Sequence, residues 1–253
     1  MLIAVPTTAG TGGETTIAAV VVDSKTKEKY AISDSVLVPK YAILDPCLTI
    51  GLPRLLQVTG FTGMDALCYA VEAYIGQSST KETGKNSLEA VKLIFQNLEK
   101  AFLDGQDVKV REAMLWAAFI AGKAFTRAYV GNIHALAHPL GGYYGIPHGL
   151  ANAVIMPYVL EYYGDLVVKP LSQLSDVIGL GIGADNKTKA RLFIEAIKSL
   201  NNNLGIPDKL EGIKISDIPL MADYAFHEAN PFCPAPKIFS KNEFEKIYAM
   251  IKK

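Results

Sequence analysis

The sequence predicts a mainly α-helical protein that opens with a short β-rich segment of about fifty residues. Three observations lead there. The first fifty residues hold short apolar runs broken by Gly, Thr and Pro, the punctuation of strands and turns. From about residue 54 onward, apolar residues recur at helical spacing. Three of the four histidines, His134, His138 and His148, fall in one stretch of fifteen residues within that apolar body, which marks where the chemistry sits.

Residues 2–5 (LIAV), closed by Pro6, read as a buried strand. PTTAGTGGETT is too rich in Gly and Thr for either regular structure and reads as a loop. IAAVVVD (17–23) reads as a second strand, SKTKEK as a polar turn, and YAIS and YAILD (41–45) as further strand pieces. Leu52-Pro53 marks the edge of a new region. Beyond it, LCYAVEAYI (67–75) has helical spacing. Residues 87–103 are amphipathic, with Leu88, Val91, Leu93, Ile94, Leu98 and Phe102 crowded to one side. Residues 111–140 are nearly apolar all round, which predicts one central buried helix or two in succession. Residues 150–163 predict another helix. Residues 188–205 predict a helix ended by Gly205, with Pro207 just past it. Ser216 is expected to cap the helix that follows. Ser240 with Glu243 three residues on predicts a capping box for the last helix.

Lys and Arg number 25, as do Asp and Glu, and no long basic run occurs, so the electrostatic footprint of a nucleic-acid binder is missing. The apolar run at Ile17–Val22 is too short to span a bilayer, and MLIAVPTT lacks the basic start and long apolar core of a signal peptide. Cys47, Cys68 and Cys233 form no CxxC pair, which argues for a reducing compartment; the cytoplasm is the expected location.

His134 and His138 stand four apart, which puts both on one face of a helix. Such a pair alone is more often two satisfied core histidines than a site. His148 changes the balance: it follows Pro139, Gly141, Gly142, Gly145 and Pro147, a segment that must turn and can bring a third imidazole back to the first two. Asp65, in TGMDALCYAVEAY, is the best carboxylate to complete a metal site, although it could equally serve the helix dipole. Glu72, two turns on, is a weaker candidate. Two imidazoles and one carboxylate suit Fe(II) or Zn(II) better than Mg(II) or Ca(II). The loop from Pro6 to Glu14 offers glycines for close backbone approach and threonine hydroxyls for a phosphate, though a plain connecting turn explains it as well.

Taken together, PTTAGTGGE, Asp23–Asp34 with its KYAISD, AILDP, TGMDAL, AxxxAGxAF and HALAHPLGGYYGIPHGLANA resemble the iron-containing alcohol dehydrogenases, in order and approximate spacing, over residues 3 to about 160. The resemblance implies an α/β domain that binds NAD or NADP, followed by an all-helical, dehydroquinate synthase-like domain that holds the metal. Residues 1–52 would be the C-terminal remnant of the former and residues 53–253 the latter. It further implies Asp65, His134 and His148 as metal ligands and His138 as the catalytic histidine near the nicotinamide. Thr7, Thr8, Thr11 and Lys29 are implied as cofactor contacts; unaided, Lys29 reads as a surface lysine. The implied reaction is hydride transfer between an alcohol/aldehyde pair and NAD(P), with the metal polarising the substrate oxygen, in a homo-oligomer.

Three departures from the family pattern stand out. The chain contains no GGGSxxD-like pyrophosphate loop, so the resemblance begins at the last part of the nucleotide-binding domain, and the apolar strands 2–5 and 17–22 are expected to lack sheet neighbours. This also keeps open a different class of function, a non-catalytic metal-binding helical module. Tyr69 stands where the family's DxxxH pattern has a further histidine, which implies three protein ligands instead of four. Gly13 stands where the family has Ser.

Overall fold

The computed structural model describes residues 1–26, 28–52, 58–231 and 233–253. Its first fifty residues form two small sheets. β1 (Ile3–Ala4) pairs in parallel with β4 (Tyr41–Ala42), Ile3 opposite Tyr41. β2 (Ala18–Val22) and β3 (Lys29–Ser33) form an antiparallel hairpin in which Ala18 faces Ser33 and Val22 faces Lys29. The Asp23 carboxylate accepts from the N–H groups of Lys25 and Thr26 and so shapes the turn after β2. The expectation of a buried strand at 2–5 is not met: Leu2, Ile3 and Val5 are exposed, as are Val20, Val22, Tyr30 and Ile32 on the hairpin. With only two strands in each sheet, the faces that carry these side chains stay open to solvent among the described residues.

The rest is helical: α1 (Cys47–Ile50), α2 (Gly60–Ile75), α3 (Lys81–Leu103), α4 (Val108–Ala128), α5 (Asn132–Tyr144), α6 (His148–Tyr163), α7 (Val168–Val177), α8 (Asn186–Asn203), α9 (Ile218–Ala229) and α10 (Lys241–Ile251). The helical start expected near residue 54 and the edge at Pro53 lie outside the described residues; α2 begins at Gly60. The apolar stretch 111–140 resolves into two helices, separated where Tyr129 takes φ 62° and ψ 177°. α7 is an element the sequence pattern did not announce. Gly205, at φ 75°, follows the last turn of α8 as expected. Ser216 does not cap α9: it lies in a 3-10 turn (Ile215–Asp217), its hydroxyl bonded to Asp217, and α9 begins with Pro219 in its first turn. Among the described residues, no helix is long and apolar enough to cross a membrane.

α2 is the hub. Met64, Leu67 and Val71 are wholly buried, and the helix packs on α3, α4 and α6. Each such side chain removed from water contributes about 1.5–3 kcal/mol before the entropy of ordering is counted. The glycine-rich loop after β1 docks onto this body at two points. Gly12, at φ 60°, lies so close to Gly122 of α4 that a Cβ would fall 2.8 Å from the Gly122 Cα. A Cβ on Gly10 would strike Thr62, in the first turn of α2, three residues before Asp65. The loop is thereby held beside the start of the helix that carries the carboxylate.

Candidate metal centre

Three helices bring the histidines and Asp65 together. His134 and His138 stand one turn apart on α5. α5 ends at Tyr144, and Gly145, at φ 65°, gives its N–H to the carbonyls of Gly141 and Leu140, which reverses the chain into α6. His148 is the first residue of α6. A Cβ on the next residue, Gly149, would lie 2.1 Å from the Phe61 carbonyl oxygen; only glycine lets α6 start this close to α2. The result places Asp65 Oδ1 3.8 Å from His134 Nε2 and 3.6 Å from His148 Nε2, with all three donor atoms mutually within 4.8 Å.

The tautomers follow from the partners. Glu72 can only accept, and its Oε2 lies 2.6 Å from His134 Nδ1, so that nitrogen carries the proton and Nε2 the lone pair. The Asn152 amide nitrogen, one turn beyond His148, sits 2.7 Å from Asp65 Oδ1 and 3.2 Å from each of the two Nε2 atoms. Asp65 Oδ1, the His134 lone pair and His148 Nε2 thus converge on one amide nitrogen with two hydrogens, while the amide's own oxygen and His148 Nδ1 are buried without a partner among the described residues. A cation answers such a set better than an amide does. Donor separations of 3.6–3.8 Å are near the roughly 3.4 Å edge of a tetrahedron with ligands about 2.1 Å from its centre. Burial pushes the Asp65 carboxyl up, against the pull of His134, Asn152, Lys29 and His138. Burial, with His134, His138 and Lys29 nearby, holds His148 well below the usual imidazole range, hence neutral, as a ligand must be. The residues present therefore fit a divalent metal.

His138, buried, lies with its ring centroid 5.1 Å from that of His148, and its Nδ1 is 2.6 Å from Glu228 Oε1 of α9. Lys29 reaches over from β3: a Cβ on Gly141 would come within 3.7 Å of its ammonium nitrogen. Burial lowers the Lys29 pKa, and the charges of Asp65 and Glu228 oppose that shift. Lys29 is thus part of the neighbourhood of the site. Thr7 and Thr11 are exposed and Thr8 half-buried in the loop over α2; no hydrogen bond among the described residues links their side chains to the histidines. Glu72 does not join Asp65 as a donor. It lies on the far side of His134 and also accepts from the Ile133 N–H at 2.8 Å.

Sequence reasoning missed two residues here. Asn152 lies four residues from His148 on one helix face, a local signal that could have found it. Glu228 lies 90 residues from His138, and no local pattern announces it.

Residues 59–251 match the Fe-containing alcohol dehydrogenase family, C-terminal, and residues 1–46 match iron-containing alcohol dehydrogenase. The chain is 39% identical over 252 residues to a 1,3-propanediol dehydrogenase of Citrobacter freundii, covering 98% of this chain and 64% of that protein. It is 37% identical over 230 residues to an NAD-dependent methanol dehydrogenase of Bacillus methanolicus, covering 90% of this chain and 60% of that one. The solved structure of an alcohol dehydrogenase from Oenococcus oeni superposes with a TM-score of 0.92 at 35% identity, over 99% of this chain and 65% of that one. The chain thus spans about 64% of the length of the first of these curated relatives. A family match over nearly the whole helical body, and over the strands before it, means that this chain belongs to the iron-containing alcohol dehydrogenase family.

Proposed function

We propose that the chain carries the metal centre and part of the cofactor site of an NAD(P)-dependent alcohol dehydrogenase that interconverts a small alcohol and its aldehyde. The observation that carries this reading is the convergence of Asp65 Oδ1, His134 Nε2 and His148 Nε2 on one point, with His138 alongside. Asp65, His134 and His148 would hold the metal, Fe(II) or Zn(II). When bound, the ion supplies Lewis-acid polarisation of a substrate oxygen, and the nicotinamide takes or gives the hydride. The protein's residues do the rest. Glu228 accepts from His138 Nδ1, which leaves Nε2 as the ring atom that takes up or releases the substrate's proton. Lys29 places a partly desolvated positive charge near Asp65 and Glu228, where a cofactor ribose would lie. Thr7, Thr8 and Thr11 contact the cofactor from the loop that Gly10 and Gly12 seat on α2 and α4. Residues 1–52 act as part of the nucleotide-binding domain and 53–253 as the metal-binding domain. The names of the two dehydrogenase relatives support a small alcohol or diol as substrate, and that of the methanol dehydrogenase supports NAD as cofactor. The exposed valines of β2 support self-association into a homo-oligomer.

The test loads the purified chain with Zn²⁺, or with Fe²⁺ under anaerobic conditions, and measures metal by elemental analysis and NAD(H) and NADP(H) binding by fluorescence. One metal per chain, abolished in His148→Ala, together with cofactor binding, is the expected result. Unchanged metal content in His148→Ala overturns the ligand assignment. Metal retained with no cofactor binding at millimolar concentration favours the non-catalytic metal-binding module.

A further inference from the structure

We propose that Glu72 is the positioning residue of this centre, fixing His134 in its Nδ1–H tautomer and anchoring the first turn of α5, so that the Nε2 lone pair points at Asp65. The proposal rests on the metal reading above.

Asp65 and Glu72 are seven residues apart, two turns of α2, so both face α5 from one stripe. They take opposite edges of the same imidazole. Asp65 Oδ1 stands 3.8 Å from Nε2, and Glu72 Oε2 stands 2.6 Å from Nδ1. The second Glu72 oxygen accepts from the Ile133 N–H at 2.8 Å, one of the free donors at the start of a helix. Glu72 is 3% exposed, so water does not compete for either bond. Room for the carboxylate is made by Gly131: a Cβ there would lie 2.8 Å from Glu72 Oε1. Cys68 is the other group near Nδ1, at 3.9 Å, the outer limit for a sulfur contact. The carboxylate contact at 2.6 Å is far shorter than the thiol contact, so Glu72 sets the tautomer.

The chemistry requires a carboxylate. Two N–H donors, from His134 and Ile133, converge on it, and a carboxylate accepts both. An amide accepts with one atom and donates with the other, so it leaves one donor facing a second donor. Glu72→Gln is nearly isosteric and tests this directly.

The experiment uses the full chain. Zn²⁺ and Co²⁺ affinities are measured by chelator competition in the wild type and Glu72→Gln, and the ring ¹⁵N shifts of His134 are read in the metal-free proteins. The expected result is a roughly 10–100-fold weaker Kd in the variant, with His134 no longer held as Nδ1–H. A purely structural role would move stability but not the tautomer. If Glu72→Gln does not fold, Gly131→Ala, which retains the carboxylate but crowds it, is expected to weaken both metals at least tenfold. Unchanged Kd with the Nδ1–H tautomer retained overturns the role of Glu72. A wild-type chain that binds neither ion overturns the metal reading instead, and the ¹⁵N shifts then decide on Glu72: a retained tautomer in the variant overturns the proposal, a lost one supports it.

Discussion

The Tyr69 ring stacks on His134, with centroids 4.4 Å apart, and its other neighbour in the stack is Phe125, at 4.1 Å. Tyr69 therefore braces the flat side of an imidazole whose two nitrogens face Asp65 and Glu72. One helix, α2, grips His134 by an edge, a face and the other edge. Burial and the charge of Asp65 push the Tyr69 hydroxyl well above its ordinary range, so at neutral pH it is an uncharged phenol and a poor ligand. Position 69 lies one turn from Asp65 on the same face. Tyr69→His is expected to tighten Fe²⁺ about tenfold or more and Zn²⁺ by less, because a fourth protein ligand suits an ion that takes more than four. Tyr69→Phe should leave both affinities within about twofold. Chelator competition under anaerobic conditions checks this; equal affinities in Tyr69→His and wild type would show that position 69 does not reach the centre.

The contact between Gly149 and the Phe61 backbone sets the spacing of α6 against α2, and with it the distance from His148 to Asp65. A methyl at Gly149 meets backbone, which cannot swing aside as a side chain can. Gly149→Ala is expected to cost about 1–3 kcal/mol of unfolding free energy by overpacking and to weaken Zn²⁺ at least tenfold. Urea unfolding and chelator competition report the two effects separately. A variant as stable as wild type with intact affinity would mean that the helices separate without consequence for the donors.

What the sequence made legible is what local spacing encodes. Val91, Ile94 and Leu98 mark α3 as a half-buried helix, and all three are fully buried. The four-residue step from His134 to His138 and the Gly/Pro-rich turn to His148 predicted their convergence, and the ring centroids of the three histidines lie 5.1–6.4 Å apart. Long-range contacts were not legible. Glu228 meets His138 only because α9 packs on α5. Lys29 looks like a surface lysine because nothing in its hairpin reveals the helix beside it. β1 looks buried because LIAV is apolar, yet burial depends on neighbouring strands that a pattern of four residues cannot report.

The break between α4 and α5 is made at Tyr129, whose φ of 62° and ψ of 177° lie in a region that glycine alone enters freely. Its side chain is 51% exposed, so little packing holds it there. Tyr129→Gly should relieve strain of about 1–3 kcal/mol while adding about 0.4–1 kcal/mol of unfolded-chain entropy. A net gain of about 1 kcal/mol in urea unfolding is the expected outcome. A loss of stability would show that the tyrosine makes contacts that outweigh its backbone conformation.

α10 is tied down by Glu243. Its Oε2 accepts from both the N–H and the hydroxyl of Ser240 at 2.9 Å, the capping box expected from the sequence, and its Oε1 lies 2.6 Å from the Lys237 ammonium. Burial alone would raise this carboxyl. The Lys237 and Ser240 hydrogen bonds outweigh it and hold the pKa at about 2, below the ordinary 4.5. A carboxyl depressed in the folded state stabilises the fold above its unfolded pKa and loses that contribution as the pH falls toward its folded pKa. The contribution is therefore complete above about pH 4.5 and gone near pH 2. After allowance for solvent screening of a partly exposed pair, it amounts to about 1–2 kcal/mol. Glu243→Gln keeps an acceptor for the Ser240 N–H but loses the charge. The difference in unfolding free energy between wild type and variant should be constant from pH 7 to about 5 and shrink steadily below 4.5. Urea unfolding of both proteins across that range measures it. A difference that does not change with pH would mean that Glu243 acts through its hydrogen bonds alone.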